Sequence, residues 1–135
     1  MMTEATHALI RRYFADLTGS GLGEELFTPD ATVWTLSTRT ESPAAQYRQV
    51  TKLLVSLFQN LAYTVHSITV EGDQAAAETS AHGVLHDGQV YDNAYVFIFR
   101  LRDGKIARLA EYYDRKPVDE VIMPALTAAM SAQKT

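Results

Sequence analysis

Apolar residues recur at helical spacing twice in the first half of the chain and at strand spacing through most of the second. Leu9, Ile10, Tyr13, Phe14 and Leu17 share one helical face, with Arg11, Arg12 and Asp16 largely opposite. Thr3 is placed to cap that helix, Glu4 suits its first turn, and Thr18-Gly19-Ser20-Gly21 ends it. A short helical turn is expected around Gly23 to Phe27, and Pro29-Asp30 signals a turn. Thr32 to Leu36 is β-branched and aromatic and reads as a strand, followed by a polar loop over 37–43. A second helix is predicted from about Ala44 to Gln59, with Tyr47, Val50, Leu53, Leu54, Leu57 and Phe58 on one stripe.

From there the pattern alternates. Strands are predicted over Ala62 to Glu71, Gln74 to His86, Gln89 to Arg102 and Lys105 to Arg115, separated by Gly72-Asp73, Asp87-Gly88 and Asp103-Gly104. Pro117 suits the first turn of a C-terminal helix with Val118, Val121, Ile122, Leu126 and Met130 as its apolar positions, and Pro124 should end or kink it. Helix, strand, helix and then four strands imply a single α+β domain over residues 1–135. The expected form is a cone-shaped roll, a curved antiparallel sheet packed on the N-terminal helices around a central pocket.

Tyr91, Asn93, Tyr95, Phe97 and Phe99 share one strand face. Polar groups among aromatic rings suit either a cavity wall or an amphipathic sheet with a satisfied buried Asn. A two-residue turn at Asp87-Gly88 would pair His82 with Asn93 and Ser80 with Tyr95, clustering the polar members. The second turn has two solutions. A two-residue Asp103-Gly104 loop turns Glu111 away from this face, whereas a three-residue loop places it opposite Tyr95, with Tyr113 opposite Asn93. Ala94, Val96, Ile98, Ala77, Ala81 and Leu85 would form the other face, too apolar for solvent, which implies a homodimer.

Composition narrows the function classes. The 135 residues contain no cysteine, which excludes disulfides, thiolate nucleophiles and Cys-zinc sites. A net charge of −4 without a basic cluster argues against nucleic acid. No apolar run spans a bilayer and the N-terminus lacks signal-peptide character, so no membrane partner and a cytoplasmic location are expected. His82 and His86 lie two strand pairs apart with no close ligand cluster, so no metal is expected. Gly19, Gly21 and Gly23 follow a helix instead of opening one after a strand, so no phosphate loop and no cofactor are expected.

Three segments carry a resemblance: Arg12-Tyr13-Phe14-Ala15-Asp16-Leu17, Leu26-Phe27-Thr28-Pro29-Asp30-Ala31-Thr32-Val33, and Tyr91-Asp92-Asn93 through Asp103-Gly104-Lys105-Ile106 to Glu111-Tyr112-Tyr113-Asp114. The chain resembles the ketosteroid isomerase, SnoaL-like and limonene epoxide hydrolase superfamily, which shares the fold of nuclear transport factor 2. The resemblance implies that fold, a homodimer, and a cavity facing Tyr13 and Glu111. Tyr13 matches the isomerases' oxyanion donor, and Glu111 falls at the hydrolases' pocket aspartate, which supports the three-residue turn. The remaining machinery departs: the isomerase base and the hydrolase water-positioning Asn both fall at Thr35. The hydrolase Tyr falls at Val33, and its Arg and Asp partners at Glu78 and Ser80. The isomerases' second oxyanion acid falls near Val96 or Phe97. The nearest fit is therefore the SnoaL-like group.

These readings converge on a cofactor-free enzyme that acts by proton transfer on a small apolar oxygenated molecule, as isomerase, dehydratase or cyclase. Glu111 is the expected acid/base, His82 its relay and Tyr95 a clamp on substrate oxygen. Tyr13, Trp34, Asn93, Phe97 and Tyr113 complete the expected binding surface. The alternative is a non-catalytic small-ligand-binding or dimerisation module of the same fold.

Overall fold

A computed structural model describes residues 2–133. Helix α1 (Met2–Thr18) is followed by a 3-10 turn at Glu24–Leu26, strand β1 (Phe27–Thr35), short β2 (Glu41–Pro43) and helix α2 (Ala44–Ser56). Then come β3 (Phe58–Glu71), β4 (Gln74–Leu85), β5 (Val90–Arg102) and β6 (Lys105–Tyr113). A single turn, α3 (Arg115–Pro117), leads through a π-helical turn at Val118–Ile122 into α4 (Met123–Gln133). Helices α1 and α2 pack on one side of a curved six-stranded sheet of order β2-β1-β6-β5-β4-β3. The expected α+β cone is present. Its sheet is mixed, because β1 runs parallel to β6 while every other neighbour is antiparallel.

Several local expectations are corrected. Thr3 lies inside α1, which already includes Met2. Pro29-Asp30 makes no chain reversal; both residues lie in β1, where the ladder to β6 shifts register between Phe27 and Thr32. The loop over 37–43 contains β2. Glu41 there accepts Oγ1–H of Thr32 at 2.8 Å and holds Arg108 through two contacts of 2.9 and 3.0 Å. Pro124 follows the π-helical turn and sits in the first turn of α4, where a missing N–H is tolerated.

The β4–β5 register differs by one residue from the expected one. The loop is His86-Asp87-Gly88, flanked by Leu85 and Gln89, with Leu85 N–H donating to the Gln89 carbonyl at 2.9 Å and Gly88 at φ +93°. Thr79 therefore faces Tyr95, Ala81 faces Asn93 and His82 faces Asp92. A one-residue slip exchanges the two faces of a strand. Ala75, Ala77, Ala81 and Leu85 are accordingly buried on the inner face, not on the outer one. Their small size leaves room for the β5 aromatics. Gly83 is part of the same fit, since a Cβ there would lie 2.8 Å from both the Asn60 carbonyl oxygen and the Phe58 ring.

The β5–β6 turn is the two-residue Asp103-Gly104, with φ of 55° and 73°. Alone it would turn Glu111 outward. A β-bulge then inserts Ala107, because Leu101 pairs with Ile106 and Arg100 with Arg108. The extra residue restores the parity, so Leu109, Glu111 and Tyr113 face inward opposite Phe99, Phe97 and Tyr95. The two-residue turn is thus present without the outward Glu111 it implied, and the inward Glu111 of the three-residue alternative is reached through the bulge, opposite Phe97 instead of Tyr95.

The core lies between the helices and the inner sheet face. Tyr13 and Phe14 of α1 meet Phe97 and Phe99 edge-on, at centroid separations of 4.9 to 6.4 Å. Such pairs add about 0.5–1.5 kcal/mol each beyond the area they bury. This rigid floor fixes one end of the cavity described next.

Candidate functional site

Between α1, α2, the sheet and the C-terminal helical segment lies a cavity of about 220 Å³. That is smaller than the 300–1,000 Å³ usual for ligand pockets. Its walls are mostly Leu17, Val50, Leu54, Val55, Ile122 and Leu126, with hydroxyls from Thr35, Thr51 and four β-strand tyrosines. Among the described residues Glu111 is the one carboxylic acid that lines the space, and no Lys, Arg or His does.

Glu111 is placed by β6, with its own carbonyl accepting the Leu36 N–H at 3.1 Å and Thr35 beside it in the parallel ladder. Tyr47 projects from α2 and donates its hydroxyl to Glu111 Oε1 at 2.8 Å. Tyr13 Oη lies 2.6 Å from Tyr47 Oη. A tyrosine has one hydroxyl proton, so while Tyr47 donates to the carboxylate, Tyr13 must donate to Tyr47. The polarity is thus fixed from α1 through α2 to the carboxylate. No described residue donates to Oε2, the second oxygen, and the surface Glu111 retains faces the cavity.

Burial raises the Glu111 carboxyl from 4.5 to about 7, and the Tyr47 hydrogen bond opposes that rise. Desolvation prevails because a single neutral donor returns about 1 kcal/mol, less than a carboxylate loses on leaving water. Among the described residues no cation offsets it. Arg108, one candidate counter-ion, is bound to Glu41, and Arg115 faces Asp119 at 3.7 Å. Burial also pushes the Tyr13, Tyr47, Tyr63, Tyr91 and Tyr95 hydroxyls up, which keeps them neutral donors.

Residues 10–109 match the SnoaL-like domain. The chain belongs to that family. No functionally curated protein matches its sequence. Solved structures similar to this SnoaL-like chain include a proposed SnoaL-like polyketide cyclase from Jannaschia sp. CCS1, at 24% identity and a TM-score of 0.73, covering 88% of this chain and 92% of that one. AclR of Streptomyces galilaeus, a proposed hydroxylase, is 20% identical with a TM-score of 0.76, over 95% and 98% of the two chains. A nuclear transport factor 2-like protein of unknown function from Exiguobacterium sp. 255-15 is 23% identical with a TM-score of 0.66, over 78% and 98%. At these identities the likeness is one of fold.

The expected site residues of this SnoaL-like chain divide. Glu111, Tyr95 and Tyr113 line the cavity. Tyr113 donates to Ser37 Oγ at 2.6 Å and accepts the Ser37 N–H at 3.0 Å, closing the β1–β2 loop over the rim. Phe97 and Tyr13 are fully buried beneath the cavity, and the hydrogen-bond path from Tyr13 to Glu111 runs through Tyr47. Asn93 does not line it. Its Oδ1 accepts the backbone N–H groups of Ala94 and Asp114, and its Nδ2 donates to the Asp114 carbonyl and to Tyr91 Oη. All four of its hydrogen-bonding positions are used, so Asn93 ties β5 to the end of β6 and orients Tyr91, 2.5 Å from Tyr95 Oη.

Trp34 and His82 are corrections. Trp34 lies on the outer face, its ring tilted by 40° against Tyr112 at a centroid separation of 5.0 Å, because its neighbour Thr35 takes the inward position. His82 also points outward and pairs with Asp92 at 2.5 Å, with both side chains more than half exposed. It is too far round the sheet to relay a proton to Glu111. The sequence carried a partial signal for this: four of β4's six even positions are polar, Gln74, Glu78, Ser80 and His82, with Ala76 and Val84 the exceptions, whereas the odd ones are Ala75, Ala77, Thr79, Ala81, Gly83 and Leu85. Tyr47 was visible only as part of a helix stripe, since its partner is supplied by tertiary structure. Among the described residues no group of three or more His, Asp or Glu could hold a metal ion, and no helix is long and apolar enough to cross a membrane.

Proposed function

We propose that this SnoaL-like protein is a cofactor-free acid/base enzyme acting on a small, apolar, oxygenated molecule by isomerisation, dehydration or aldol-type cyclisation. The observation that carries the reading is Glu111: a carboxylate without a counter-ion among the described residues, held through Oε1 by Tyr47, with Oε2 unbonded by them and the side chain lining an apolar cavity. Glu111 Oε2 takes a proton from carbon beside a carbonyl. The C–H electron pair moves into the carbonyl system, and the oxygen that gains charge is met by the Tyr95 hydroxyl. Returning the proton at another position isomerises the substrate; attack of the enolate carbon on a second carbonyl cyclises it, the π pair of that carbonyl becoming an alkoxide that takes the proton back from Glu111. Because Glu111 ionises near neutrality, it can both take and return the proton. The polyketide cyclase among its structural neighbours supports keeping cyclisation among the reactions.

Deuterium exchange tests this without a known substrate. Small cyclic ketones and 1,3-diketones are incubated in D₂O, and loss of the α-proton signals is followed by NMR. The protein should accelerate exchange, with a rate that rises through about pH 7 as Glu111 ionises, and Glu111→Gln should abolish the acceleration. Acceleration surviving in that variant would overturn the reading. Binding of these compounds without exchange would favour the alternative, a non-catalytic ligand module.

A homodimer is part of the proposal. The outer sheet face presents Trp34 and Tyr112 beside half-exposed Val96 and exposed Ala94, an apolar surface that a second copy would bury. Sedimentation at micromolar concentration should give a dimer, and a monomer would refute it. A cytoplasmic location is likewise proposed.

A further inference from the structure

Glu111 has no cationic partner among the described residues, and the ligand can supply one. The groups that face it from each surrounding element are Tyr13 of α1, Tyr47 of α2, Tyr63 of β3, and Tyr91 and Tyr95 of β5, all neutral. Among the described residues of the C-terminal segment, Val118, Ile122, Met123 and Leu126 line the cavity. Such a space opposes any anion, which would meet a carboxylate and no basic group. It also suits a metal ion poorly, because a hard cation requires several oxygen ligands and tends to keep its water.

We infer that the cavity is a binding site for small lipophilic ammonium ions, with Glu111 as their counter-ion. An N–H of such a cation can donate to Oε2, the oxygen that the described residues leave free, as a charge-assisted hydrogen bond. Tyrosine rings add the attraction of an aromatic face for a cation, and the aliphatic wall takes the hydrocarbon part. The inference needs the cavity and its carboxylate but no catalytic step. An amine of this class would therefore compete with the substrate of the proposed reaction.

The probes are cyclohexylamine, which stays protonated across the range, its neutral counterpart cyclohexanol, and cyclohexanecarboxylate. Binding to the intact protein is measured by titration calorimetry at pH 5.5 and 8.5. If only the ionised carboxylate binds, apparent affinity for the amine scales with the ionised fraction and should rise about 30-fold between these pH values. At pH 6 its binding should release close to one proton, read from the dependence of heat on buffer ionisation. Glu111→Gln should weaken the amine at pH 8.5 by about 10-fold or more while keeping cyclohexanol, and the carboxylate should not bind. Amine binding that is pH-independent and releases no proton would overturn the inference in the wild-type protein alone, whatever the variant's folding. So would equal binding of the carboxylate. Amine binding with the expected proton release but no deuterium exchange would uphold this inference and defeat the enzymatic one.

Discussion

Replacing Glu111 by Gln should stabilise the protein above neutral pH. Its carboxyl is raised from 4.5 to about 7 in the fold. Between those values the folded protein holds a proton that the unfolded chain releases, so this group favours folding at low pH and the advantage is lost as pH rises through about 7. At 1.36 kcal/mol per pKa unit, ionised Glu111 costs roughly 3 kcal/mol at pH 8 and under about 1 kcal/mol at pH 5. Gln cannot ionise, and its amide oxygen still accepts the Tyr47 hydroxyl. The stability of the variant relative to wild type should therefore increase by about 2.5 kcal/mol from pH 5 to pH 8. Other titrating groups occur in both proteins and cancel in the difference. Urea unfolding at pH 5, 6.5 and 8 with matched m values reads it. A difference that does not change with pH would refute the reasoning, as would a variant that loses ground at pH 8.

Tyr47→Phe removes the donor to Glu111 and leaves the fully buried Tyr13 hydroxyl without its partner; thermal or urea unfolding at pH 5 should show a loss of about 1–3 kcal/mol. Asn93→Ala strips the acceptor from two backbone amides and the donor from Tyr91 and the Asp114 carbonyl; denaturation should show a loss of about 3 kcal/mol or more, and near-wild-type stability would contradict its structural role. His82→Ala should change stability by less than about 1 kcal/mol, as expected for an exposed pair, and leave deuterium exchange unaltered.

The order and type of the elements other than β2 and the first half of β1 were legible because hydrophobic period and turn residues agree along most of the chain. Strand parity was harder. At Asp87-Gly88 the dipeptide rule favoured a two-residue turn, while the alternation of β4 required three, and burial of Ala75, Ala77, Ala81 and Leu85 prevailed. Misplacing that turn by one residue carried His82 to the wrong face. At Asp103-Gly104 the dipeptide rule held, but the Ala107 bulge reversed its consequence for Glu111. No local propensity marks that bulge; the family position of Glu111 gave its direction. Trp34 was read by size alone, whereas the parallel β1–β6 pairing decides its face. Tyr47 could be placed on a stripe of α2, but a helix stripe does not reveal which strand residue its hydroxyl meets.

The central claim is that Glu111 is a cavity carboxylate poised to exchange a proton near neutral pH. Carbon-13 NMR of the glutamate side-chain carboxyls, assigned by the signal missing in Glu111→Gln, measures this directly. The Glu111 resonance should titrate with a midpoint near 7, and Tyr47→Phe should move that midpoint upward by removing the hydrogen bond that favours the ionised form. A Glu111 midpoint near 4.5, unmoved by Tyr47→Phe, would contradict the account.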